Sequence, residues 1–224
     1  MTFSIAARCA RTGMFGVAIS SSSPAVAARC AYARAGVGAA TSQNITDPRL
    51  GERLVALLAE GASATEAVEI VRRTTEHIAF RQLTAVDRNG GTAAYSGAKV
   101  LGLHAEAKGR DAVAAGNLLA TEAVPERMLA AFEEAPEAHL ADRLLRALRA
   151  AIEAGGEAGP VHSAGLRLVD AVSWPVADLR VDWHDDPIAQ LCTLWEVYAP
   201  QLDAYVARAL NPSEAPSFNV PGDP

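Results

Sequence analysis

Thr2-Phe3-Ser4-Ile5-Ala6-Ala7-Arg8 is a short, β-compatible, apolar-leaning stretch. Thr12-Gly13 supplies a turn after it, and Met14 to Ile19 is a second run of the same character, so two antiparallel strands are expected at the start of the chain. Beyond Ser20 to Ser23 and Pro24, the small residues Ala35 to Thr41 predict a third strand packed tightly against its neighbours. Helices follow. Leu50, Leu54, Leu57 and Leu58 recur at helical spacing and stop at Gly61, and Ser63 with Glu66 forms a capping box for a helix carrying Ala67, Ile70 and Val71.

The pattern then repeats. His77 to Asp87 reads as a strand, Arg88-Asn89-Gly90-Gly91 as a turn, Thr92 to Ser96 as the returning strand, and Asp111 to Ala115 as another. Val124, Met128, Leu129 and Phe132 share a helical face. So do Leu140, Leu144, Leu148, Ala151 and Ile152 up to Gly155-Gly156, with Arg143, Arg146 and Arg149 as the solvated side. Strands at Ser163 to Val169 and Leu179 to Asp182 precede a last helix from about Asp186, with Ile188, Leu191, Leu194 and Trp195 inward. Strands, helix pair, strands, helix pair, strands and helix suit two stacked antiparallel sheets between helical layers, an α+β sandwich, better than a βαβ alternation. A single domain over 1–210 is expected, with a Pro- and Ser-rich flexible tail over 211–224.

Composition excludes several roles. The formal charge is −6, which argues against a nucleic-acid or membrane-surface partner, since either requires a basic footprint. No stretch approaches the ~20 apolar residues that span a bilayer, and the start lacks a basic and then hydrophobic leader, so a cytoplasmic location is expected. Cys9, Cys30 and Cys192 have neither C-x-x-C nor zinc spacing and read as buried free thiols. Gly36-Val37-Gly38 begins like a dinucleotide fingerprint but lacks its third glycine, and phosphate-loop, G-x-S-x-G and H-E-x-x-H motifs are missing from the sequence.

Thr2 follows the initiator methionine directly. Removal of Met1 would leave a β-hydroxyl and a free α-amine on one residue. An α-amine of reference pKa ~7.7–8.0 is partly neutral near pH 7 and can take the hydroxyl proton, so nucleophile and base are supplied together. By itself this pattern also suits an ordinary strand start.

The blocks Thr2-Phe3-Ser4-Ile5, Arg34-Ala35-Gly36-Val37-Gly38, Ser42-Gln43-Asn44-Ile45-Thr46-Asp47-Pro48-Arg49-Leu50-Gly51, Gly116-Asn117-Leu118-Leu119, Asp178-Leu179-Arg180-Val181-Asp182 and Asp186-Pro187 stand in this order along the chain. Together, from Thr2 to roughly Pro200, they resemble the uncharacterised-domain family numbered 1028. The resemblance implies the Ntn-hydrolase fold, a four-layer αββα sandwich, with the first residue of the mature chain, here Thr2, as nucleophile. Relatives with secretion signals place the same Thr at their cleavage point. Cys9 departs from the acidic residue of many relatives, as a buried thiol or as a change in site electrostatics.

Further site residues are proposed on chemistry. Asn117, after a glycine that permits close approach, is an oxyanion donor or a turn former. Ser21 or Ser20, at the end of the second strand, could orient the Thr2 amine. Gln43 and Asn44 could bind a substrate amide or cap the next helix. Arg34 could read a substrate carboxylate or be a solvated strand end. Asp182, if it points inward, would steer the amine or the substrate, and His162 is a weaker candidate. Asp182, His184, Asp185 and Asp186 could be read as a metal site, but an N-cap before Pro187 is the preferred reading, and no metal or cofactor is called for.

Two functions from different classes follow. The first is an amide hydrolase acting on a small amide, acylated amino acid or peptide-like substrate through Thr2. The second is a non-catalytic binding or assembly module on the same fold. A homodimer is the expected assembly, with Trp195, Tyr198 and Tyr205 suited to an interface as well as to a core.

Overall fold

The computed structural model describes residues 1–218 and 220–222. β1 (Thr2–Arg8) and β2 (Phe15–Ser21) form the expected hairpin. A single helical turn, α1 (Ala27–Cys30), leads into β3 (Ala31–Arg34) and β4 (Gly38–Asn44). The small-residue stretch Ala35 to Thr41 is therefore the turn of a hairpin plus half a strand, and not one strand. Gly36, at φ 68°, takes the left-handed conformation that reverses the chain.

α2 (Pro48–Ala59) and α3 (Ala64–Thr74) follow, the first capped by Asp47 and the second by the complete Ser63–Glu66 box. Ile70 lies on the outer face of α3 while Val68 takes its place inside. A single 3-10 turn over Ile78–Phe80 replaces the first residues expected to be strand, and β5 (Arg81–Asp87) pairs with β6 (Thr92–Ser96). The Asp87 carboxylate fixes that turn by accepting from Asn89 N and Gly91 N at 2.9 Å each.

β7 (His104–Lys108), which the sequence reading missed, is an edge strand whose Glu106 and Lys108 interrupt any apolar run. It pairs with β8 (Ala112–Asn117). α4 (Val124–Glu133) and α5 (Leu140–Glu153) precede β9 (Ser163–Val169), β10 (Pro175–Val181), α6 (Pro187–Tyr198) and α7 (Leu202–Leu210). β10 thus begins earlier than expected and ends at Val181, leaving Asp182 outside it. The expected tail over 211–224 includes Asn219, Asp223 and Pro224, which lie outside the described residues.

The strands form two antiparallel sheets, one ordered β10-β9-β2-β1-β8-β7 and the other β3-β4-β5-β6. α4, α5 and α6 cover the outer face of the first, and α2 and α3 that of the second. This is the α+β, αββα sandwich expected. β1 is central and buried on both sides: Phe3, Ile5 and Ala7 face the helices, packing with Phe132, Leu144 and Leu148, while Ala6 packs between the sheets with Val17, Val113, Ala39 and Val86.

Two expectations about α5 fail for packing reasons. Arg143 is buried, its guanidinium 3.8 Å from the centroid of the Phe132 ring and its Nε donating to Phe132 O at 3.1 Å, because α4 crosses over that side. Ile152, near the helix end, is exposed. At the other end of the chain, Trp195 is buried, donating to Asp142 at 2.7 Å, and Tyr198 donates to Val176 O at 2.8 Å, so both serve this chain's own core.

β4 is packed tightly against β5 and α2 at Gly38. A Cβ on Gly38 would stand 2.4 Å from the Val86 carbonyl oxygen and 2.8 Å from Leu58 Cδ1. Backbone cannot yield as a flexible side chain does, so Gly38→Ala is expected to lose about 2 kcal/mol of stability, read as a lower urea midpoint at unchanged slope.

Candidate active site

Thr2 sits where β1 begins, and its even-numbered neighbours share its face. That face is apolar at the Ala6 end and polar at the Thr2 end, where Thr2, Ser4, Ser21 and Asn117 meet Gln43 and Gln82 of the other sheet, all buried. Register explains the convergence: Asn117 of β8 stands directly opposite Thr2, and Ser21 ends β2 on the other side.

Thr2 Oγ1 donates to the Met1 carbonyl and lies 3.4 Å from Ser21 Oγ. Ser21 Oγ also donates to the Met1 carbonyl, and accepts from Ser23 N at 3.1 Å, with Ser23 Oγ 2.8 Å away. Two hydroxyls thus close on one carbonyl oxygen. Ser20 faces the opposite side of β2, donating to Ser163 O at 2.9 Å, so of the two serines only Ser21 belongs here.

Behind Thr2 lies an amide network whose orientation two backbone carbonyls fix. Gln82 Nε2 donates to Gly116 O at 3.0 Å and Gln43 Nε2 to Ala115 O at 3.3 Å, so both side-chain oxygens must act as acceptors. Gln82 Oε1 accepts from Gln43 Nε2 at 2.8 Å and from Asn117 Nδ2 at 3.0 Å, while Gln43 Oε1 accepts from Ser4 Oγ at 2.6 Å. Asn117 Oδ1 is left buried and without a partner. The expected donor is therefore held by Gln82 and presents a spare acceptor beside Thr2 as well as its second N–H. Gln43 reaches the site from behind, through Ser4.

The remaining sequence candidates lie elsewhere. Asn44, at φ 76°, donates to Phe80 O at 2.6 Å and accepts from Leu101 N at 3.3 Å, which ties two loops together. Arg34 is exposed at the far end of β3, across from Gly38, where it lines a cavity of about 570 Å³ with Arg167, Tyr32 and Glu52. Asp182 is exposed past the end of β10, where its backbone carbonyl accepts from Ala25 N at 3.0 Å, and Arg180 pairs with Asp178. Asp186 caps α6, and His184 Nδ1 accepts from Asp186 N at 2.9 Å. His162 donates its backbone N–H to Ser21 O at 2.8 Å, but its ring stacks on the exposed Trp183 at 4.4 Å, away from Thr2. Cys9 is buried among the helices at the opposite end of β1, so it does not alter the site's charge.

Sequence reasoning missed Gln82, Ser4 and Glu157. A glutamine in a strand buried on both faces was the signal for the first. Glu157 follows Gly155-Gly156 in a loop zipped to the residues after Asn117: Ala120 N donates to Gly156 O at 3.0 Å and Ala158 N to Leu118 O at 2.9 Å. Glu157 is buried, and both its oxygens accept Ser22 N at 3.2 Å. Burial pushes its carboxyl up from 4.5 to about 7, against the opposing pull of the N-terminal ammonium and of the Ser22 hydrogen bonds. The folded state therefore holds this proton where the unfolded chain has released it, and stability falls as pH rises from about 4.5 to about 7. Relative to Glu157→Gln, the wild type is expected to lose on the order of 2–3 kcal/mol across that window in urea unfolding.

The comparisons fit this architecture. A solved protein from Silicibacter pomeroyi, itself of the DUF1028 family, is 30% identical, with a TM-score of 0.82 over 88% of this chain and 89% of its own. Anbu (ancestral beta-subunit) from Yersinia bercovieri covers 91% of this chain and 97% of its own at 13% identity, but at a TM-score of 0.39 the likeness is too slight to build on. No curated protein matches the chain. The profile of a family of unknown function, DUF1028, matches residues 2–191, so this chain belongs to the DUF1028 family.

Proposed function

We propose that the chain is an amide hydrolase of the N-terminal-nucleophile kind, with Thr2 as nucleophile once Met1 is removed. The observation that carries this reading is the convergence of Thr2 Oγ1 and Ser21 Oγ on one carbonyl oxygen, with Asn117 opposite Thr2 in the register. Removal of Met1 vacates that position in front of both hydroxyls, and a substrate carbonyl takes it.

Thr2 Oγ1 then attacks the carbonyl carbon while its own α-amine accepts the hydroxyl proton; that proton passes to the leaving amine, and an ester to Thr2 remains. Water, giving a proton to the same amine, attacks the ester carbonyl; the bond to Thr2 Oγ1 breaks, the amine returns the proton to that oxygen, and the acid is released. Ser21 Oγ and the second Asn117 N–H are the donors available to the developing oxyanion, a kind of contact typically worth about 3–4 kcal/mol. The substrate class is a small amide, acylated amino acid or peptide-like amide. Pairing of two copies as a homodimer goes with this proposal, although Trp195 and Tyr198, engaged within the chain, no longer argue for it.

A second reading follows from the same contact. In a chain that keeps Met1, its carbonyl fills the place of a substrate carbonyl and no free amine stands on Thr2. The protein is then a binding module. Intact mass of the purified chain, followed by a panel of amides offered to the processed and Met1-bearing forms, separates the two: turnover confined to the form beginning at Thr2 supports the hydrolase, and none in that form leaves the binding module.

A further inference from the structure

We propose that Glu157 is a positioning residue that binds the α-amine of a chain beginning at Thr2. The inference rests on the hydrolase reading of Thr2 for its catalytic meaning, but not for its chemistry.

Its place comes first. Continuing the β1–β2 register beyond Phe3 opposite Ser20 sets Thr2 against Ser21 and Met1 against Ser22. Glu157 takes the N–H of Ser22, so its carboxylate stands where the ladder runs out beside the amino end of β1. The Met1 side chain passes over the same loop, its Cε 3.8 Å from where a Cβ on Gly159 would lie. The loop itself is pinned by backbone hydrogen bonds to the segment that follows Asn117, so Glu157 and Asn117 are held by one piece of chain on two sides of Thr2.

Its unspent capacity comes second. A carboxylate offers about four lone-pair sites. Among the described residues, Ser22 alone hydrogen-bonds Glu157, through its backbone N–H and its side chain, and no lysine, arginine or histidine forms an ion pair with it. A buried acid without a cationic partner is costly to keep. The cation that acts on it is the chain's own amino terminus, the Met1 ammonium, one residue ahead of Thr2.

The consequence concerns the proton. In the chain that carries Met1 the desolvated Glu157 carboxyl is pushed up to about 7, near the ~7.7–8.0 reference value of an α-amine. In the chain that begins at Thr2, carboxyl and amine are then expected to share one proton near neutrality. When the carboxyl holds it, the amine is neutral and can accept the Thr2 hydroxyl proton. When the amine holds it, the carboxylate anchors the ammonium. Glu157 touches neither substrate nor reacting carbonyl and acts through the amine.

The test uses the full-length chain beginning at Thr2, verified by intact mass. Acylation of its α-amine by acetic anhydride is followed against pH by mass spectrometry of the N-terminal peptide. Loss of the carboxylate removes the anchor of the ammonium, so in Glu157→Gln the labelling midpoint is expected to move down by about one pH unit, which is roughly tenfold in the neutral fraction at a fixed acidic pH. The acid limb of kcat is expected to move with it, at little change in KM. Glu157→Asp, which draws the charge back by one methylene, is expected to give an intermediate midpoint and stands in should the glutamine variant fail to fold. Midpoints equal to that of the wild type overturn the proposal. Because labelling requires no turnover, a shifted midpoint in a chain that hydrolyses no amide retains Glu157 as the amine's partner and removes only the hydrolase reading.

Discussion

In the chain beginning at Thr2, Thr2→Ala is expected to lower kcat/KM for amide hydrolysis by roughly 10³-fold or more, equivalent to about 4 kcal/mol of transition-state stabilisation. Alanine is small enough that Met1 is still removed, so the variant keeps an α-amine and loses only the hydroxyl. The stability cost is small, about 1 kcal/mol, because the hydroxyl's carbonyl partner leaves with Met1 and its remaining neighbour, Ser21 Oγ, is also bound to Ser23. Activity and stability are thereby separated. Thr2→Ser restores the hydroxyl on the same backbone and should recover turnover to within about tenfold. Equal rates for wild type and alanine variant would remove Thr2 from the chemistry.

Gln82→Leu is expected to be the most damaging single change to the fold around the site, at about 4 kcal/mol in urea unfolding. Gln82 accepts from Gln43 and Asn117 and donates to Gly116 O and Ser96 Oγ. Leucine fills much of the same volume but leaves the Asn117 amide buried without its partner, at about 1–3 kcal/mol, removes the side-chain hydrogen bonds to Gly116 O and Ser96 Oγ, and takes one of the two acceptors of Gln43. Because Asn117 faces Thr2, kcat should fall along with stability. Ser96→Ala is the control: Ser96 is only half-buried and Gln82 keeps Gly116 O, so a loss below about 1 kcal/mol is expected. A Gln82→Leu chain as stable as the wild type would show that the network contributes nothing net.

Much of the fold could be read from residues whose effect is local. The Ser63–Glu66 box, the N-cap at Asp186, the stop at Gly61 and the Thr12-Gly13 turn after β1 each act within a few residues, and each element formed where expected. The readings that failed depended on neighbours far along the chain. Arg143 has the spacing of a solvated residue, yet Phe132 covers it. The places of Asn44 and Arg34 were equally beyond a local reading: one ties two loops together, and the other stands at the end of β3 away from Thr2.

The same division runs through the site. Sequence by itself determined that a threonine follows Met1 at the head of a short, apolar-leaning strand that turns back at Thr12-Gly13 into a second, because residue type and position are properties of the chain alone. Only the tertiary structure decided that the polar end of that strand meets Gln82 and Asn117, that Ser21 and not Ser20 shares its face, and that Glu157 closes the amino end. Those depend on register between strands and on a loop about 155 residues away, where a shift of one residue would turn each side chain to the other face.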